Sequence, residues 1–106
     1  MDSDRLRAEQ LLTLSSAARR IADVVALAPG PVRYEVLRHL LRVSEETMVE
    51  ALDEAVATRL VRRGDDPFSY VPHDAATGAA IAGGIDEQRA TRVRAQIARA
   101  AIDVME

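Results

Sequence analysis

Two short helical stretches that meet at a sharp break, followed at once by two strand-like runs around a turn, leave this chain few ways to fold. The first stretch opens after Pro29-Gly30-Pro31. There proline removes a backbone donor and restricts the residue before it, while glycine permits the turn. Pro31 suits the first position of the new helix. Val32, Val36, Leu37, Leu40 and Leu41 give that helix an apolar face. After a break at Val43, Ser44 is a good N-cap, and Glu45 and Glu46 fall where the helix dipole favours carboxylates. The spacing predicts that the next helix turns Met48, Leu52, Ala55, Val56 and Leu60 inward.

Leu60-Val61-Arg62-Arg63 and Phe68-Ser69-Tyr70-Val71 flank Gly64-Asp65-Asp66-Pro67. Two short β-type runs around such a turn read as a hairpin. A hairpin directly after two helices joined by a tight turn is the wing of a winged helix-turn-helix. Upstream, Ser15 or Ser16 caps a helix carrying Ala18, Ile21, Ala22, Val25 and Ala28 at helical spacing. Downstream, Asp74 caps an Ala-rich helix that Gly83-Gly84 ends. Its Ala-rich surface suits either the core or a docking face. Asp86 and Glu87 open a last helix with Ala90, Val93, Ile97, Ala101 and Val104 on one face and Arg89, Arg92, Gln96 and Arg99 on another, the second reading as a solvated surface. The expected fold is therefore mainly α: a winged helix-turn-helix with a small β-hairpin wing and a C-terminal helix. Residues 1–13 form a lead-in, 14–85 the domain with its wing at about 60–72, and 86–106 the last helix, packing on the domain or leading out of it.

Composition narrows the chemistry. At 106 residues the chain holds one core. With aromatics at 3%, that core must be built from Ala, Val, Leu and Ile. The absence of cysteine excludes disulfides and thiol chemistry and suits a reducing, cytoplasmic setting. No apolar run approaches the roughly 20 residues that span a bilayer, so no membrane partner is expected. No phosphate loop, nucleophile signature or metal-ligand spacing is present around His39 or His73, so the chain is not expected to be an enzyme or to hold a cofactor or metal of its own.

DNA is the usual partner of this arrangement, with the second helix in the major groove. Here that helix carries Glu45, Glu46, Glu50, Asp53 and Glu54 before its first basic residue, Arg59, and the chain's net charge is −3. Affinity for DNA rests mainly on neutralising phosphates. Arg33, Arg38, Arg42, Arg59, Arg62 and Arg63 could reach phosphates from the flanks, but Asp65 and Asp66 occupy the wing tip. DNA binding by a free-standing regulator is the disfavoured alternative.

Four stretches resemble the winged-helix domain that follows the nucleotide-binding core of signal-transduction ATPases of the STAND class, which includes the large ATP-binding LuxR-type transcriptional regulators. Leu14 to Arg20 resembles that domain's opening helix, and Ser44 to Ala57 its third helix. Phe68 to Ala80 is similar to the stretch around the family's His-Asp motif, and Arg89 to Ala101 to the helix leading into helical repeats. The resemblance implies a regulatory module in a longer protein, with an ATPase core before Met1 and a helical-repeat or effector region after Glu106. Its partners would be the adjacent nucleotide-binding and helical-repeat domains, and ATP or ADP would be held by the former. His73 would reach the β-phosphate of ADP, and Asp74 would be the motif's acidic member and helix cap. Imidazole suits that task, since it donates a hydrogen bond to phosphate.

Overall fold

A computed structural model describes residues 14–105; the expected lead-in over 1–13 and the last residue, Glu106, lie outside the described residues. Five helices and a three-stranded antiparallel sheet are present among them. Helix α1 (Ser16–Leu27) starts on Ser15, whose Oγ accepts from the Ala18 amide at 3.2 Å. Ala18, Ile21, Ala22 and Val25 are buried as predicted and Val24 and Leu27 join them, whereas Ala28 lies just past the helix end and is half-buried.

Strand β1 (Val32–Arg33) corrects the expectation for the next segment. Val32 is buried, but as a strand residue opposite Tyr70 and not on a helix. A β-branched valine suits a strand, and the edge of β3 supplies its partner, which outweighs the helix-start preference of Pro31. The Tyr34 amide donates to the Phe68 carbonyl at 2.8 Å, which ties the start of α2 (Tyr34–Leu41) to the sheet. Helix α2 buries Val36, Leu37 and Leu41 and ends on Arg42 in the left-handed region (φ 54°). Helix α3 (Glu45–Ala57) begins on Ser44, whose Oγ accepts from the Thr47 amide at 3.1 Å.

Met48, Leu52 and Ala55 point inward as predicted, but Val56 is 40% exposed. Leu60 is buried from beyond the helix, because Arg59 takes a left-handed turn (φ 61°) and swings the chain into β2 (Val61–Arg63). Strand β2 pairs with β3 (Ser69–Pro72), and β3 is the central strand, in the order β1-β3-β2. At the hairpin loop, a Cβ on Gly64 would lie 2.8 Å from Ser69 Oγ, a contact only glycine avoids without displacing that hydroxyl.

Helix α4 (Ala75–Gly83) keeps most of its alanines out of the core, Ala82 alone lying half-buried against it. Thr77, Gly78 and Ile81 face the interior, whereas Ala75, Ala76, Ala79 and Ala80 are exposed. Helix α5 (Glu87–Met105) adds Ala90, Ile97 and Ala100 to the same core as α1, α2 and α3.

Candidate functional site

The His-Asp pair lies at the junction of β3 and α4, and the local structure fixes its backbone on both sides. The His73 amide donates to the Leu60 carbonyl at 3.1 Å, and the His73 carbonyl accepts from Arg62 Nε at 3.2 Å. Asp74 is the N-cap of α4, with Oδ1 accepting from the Thr77 amide at 2.7 Å, as the sequence suggested. Gly78 brings α4 down onto the strand end: a Cβ there would sit 3.0 Å from Pro72 Cβ and Cγ. The His73 side chain is half-buried and makes no side-chain hydrogen bond or ion pair among the described residues. The scaffold therefore fixes where the imidazole starts and leaves its nitrogens available to an outside group.

The six candidate DNA-contacting arginines do not form one patch. Arg33 is exposed but lies 3.6 Å from both Glu35 and Asp66. It shares a hollow with Arg62, Asp65 and Asp66, so positive and negative charge alternate there. Arg62 donates to the carbonyls of His73 and Arg63. Arg63 is exposed at the end of β2, opposite Tyr70. Arg42 and Arg59 serve the left-handed turns that close α2 and α3. Arg38 is exposed on α2. On α3, Glu45, Glu46, Glu50 and Asp53 are all exposed, and Glu54 accepts from the Ser15 amide at 2.9 Å through Oε1.

One charged residue escaped the sequence reading. Asp23 is 6% exposed in the middle of α1, where Arg89 Nη2 donates to its Oδ2 at 3.0 Å. Arg89 belongs to the face of α5 read as solvated, so that face is tethered at its N-terminal end. Burial pushes the Asp23 carboxyl above the usual carboxylate range, and the nearby charges of Arg89 and Arg19 oppose the shift. The available signal was Arg19 four residues before an acid inside an otherwise apolar stripe.

No cluster of three or more His, Asp or Glu side chains able to hold a metal occurs among the described residues. No described helix is long and apolar enough to cross a membrane. Comparison with family models, with curated proteins and with solved structures finds no match to this chain.

Proposed function

We propose that this chain is a winged helix-turn-helix module that regulates by packing against a nucleotide-binding domain, as its resemblance to STAND-class ATPases implies, with no catalytic role of its own. The observation that carries this reading is the state of His73. Its backbone is held by Leu60 and Arg62 while its ring is left unengaged. A residue so placed can report on a phosphate presented by a neighbouring domain, and Asp74 fixes the helix that starts beside it. The acidic outer face of α3 adds support, because a protein surface can complement it and a phosphate backbone cannot. In this reading the module works in a cytoplasmic transcriptional regulator, and the nucleotide stays with the neighbouring domain.

The test uses the protein that carries this domain beside its nucleotide-binding domain. His73→Ala is expected to speed ADP release by about tenfold, the loss of one charge-assisted hydrogen bond of roughly 1.5 kcal/mol. Unchanged release rejects the sensor role. The competing reading, a free-standing DNA-binding regulator using Arg33, Arg38, Arg42, Arg59, Arg62 and Arg63, is tested by titrating the chain with duplex DNA at two salt concentrations. Weak binding is expected. Tight binding with a steep salt dependence overturns the proposal in favour of DNA.

A further inference from the structure

Helix α5 has two apolar stripes, and the core uses one of them. Ala90, Val93, Ile97, Ala100 and Val104 pack inward or lie half-buried. A second series, Thr91, Ala95, Ala98, Ile102 and Met105, is exposed throughout, with Ile102 at 60% and Met105 at 87%. Its intervals alternate between four residues and three, the repeat that keeps a seam facing a partner helix in left-handed helix pairing. Small residues at its centre let a second backbone approach closely. Ala98 and Met105 also border an apolar hollow of about 650 Å³, floored by Leu27, Val32 and Ile97, so the seam is continuous with a cavity that can take a partner's side chains.

The flanks of the seam decide what can lie on it. In the repeat defined by those five residues, Arg92 and Arg99 occupy one flank and Arg94 the other. None of the three makes an ion pair or a side-chain hydrogen bond among the described residues, in contrast to Arg89. Arg99 borders a further hollow with Arg20 and Arg42, where three arginines meet a single carboxylate, Asp103. Between Thr91 and Met105 the sequence has one carboxylate, Asp103, and it faces His39 at 3.4 Å. A parallel second copy of α5 would set Arg94 against Arg99 on both sides of the central seam, and an antiparallel copy would set Arg92 against Arg99, which is destabilising in each case. We propose that this face of α5 is a docking seam for an amphipathic helix of a partner protein whose apolar stripe is flanked by aspartate or glutamate.

This inference does not depend on the role of His73. The test titrates the full chain with two synthetic helical peptides that share a leucine seam and carry either glutamate or lysine on both flanks, read by fluorescence anisotropy. The glutamate peptide is expected to bind about tenfold more tightly, three flank pairs at the strength of exposed ion pairs. The triple variant Arg92→Glu, Arg94→Glu, Arg99→Glu is expected to reverse that preference, and Ile102→Glu to weaken both peptides. All four positions are exposed, so folding should survive, which circular dichroism checks. His73→Ala should leave peptide binding unchanged, so failure here and failure of the nucleotide reading are separable. Equal binding of the two peptides, binding of neither, or self-association that Ile102→Glu abolishes would each overturn the proposal.

Discussion

Asp23 shows how far a single residue can depart from what its neighbours in sequence imply. Its carboxylate is buried between α1 and α5 and held by Arg89, and burial outweighs the attraction of Arg89 and Arg19 in setting its pKa. With a folded-state pKa above the unfolded one, the folded chain keeps a proton that the unfolded chain has released in the interval between the two values. The contribution of Asp23 to stability is therefore least favourable at neutral pH. It rises as pH falls through the raised folded value and is complete below the unfolded value. Asp23→Asn is expected to abolish this acid-side gain. At neutral pH it should change stability by no more than about 1 kcal/mol, since Arg89 is half-exposed and water can solvate the charge left behind. Urea midpoints measured from neutral pH down towards the ordinary carboxylate range decide the matter; a variant that keeps the wild-type rise would refute the assignment.

At the level of elements, legibility followed the strength of local signals. The capping serines, Ser15 and Ser44, and the capping acid, Asp74, begin their helices as expected, because a side-chain oxygen that accepts a free amide is a purely local event. The hairpin was legible from its Gly-Asp-Asp-Pro turn. Strand β1 was not. Two residues carry no periodicity, and Val32 became a strand because β3 offered its free edge, a contact with a segment more than thirty residues away. Leu60 was misplaced for a related reason: its burial matches a helical period, and nothing in its sequence neighbourhood announces the left-handed turn at Arg59. The location of His73 and Asp74 at a strand-to-helix junction was readable, whereas the clamping of His73 by Leu60 and Arg62 is tertiary and was not. The scatter of the six arginines was equally hidden, because spacing along the chain does not show that Arg33 meets Asp66.

For the whole molecule, the question raised by the sequence was whether the last helix belongs to the domain or leaves it. Ala90, Ile97 and Ala100 of α5 share one core with Ile21, Leu37 and Met48, and Arg89 ties the N-terminal end of the helix to α1. A helix so attached must unfold with the rest, because losing it would expose the apolar side of α1 and α2 together. The two tyrosines report on this without engineering. Tyr70 is buried on the central strand and Tyr34 half-buried at the start of α2, while helical content is shared among all five described helices. Tyrosine fluorescence and far-ultraviolet circular dichroism should therefore give coincident urea transitions. Ile97→Ala, a truncation on α5 alone, should lower stability by about 2–5 kcal/mol and move both transitions together. If the variant displaced only the helical signal and left the tyrosine transition in place, α5 would be an independently melting appendage, and the docking seam on its outer face would have no rigid backing.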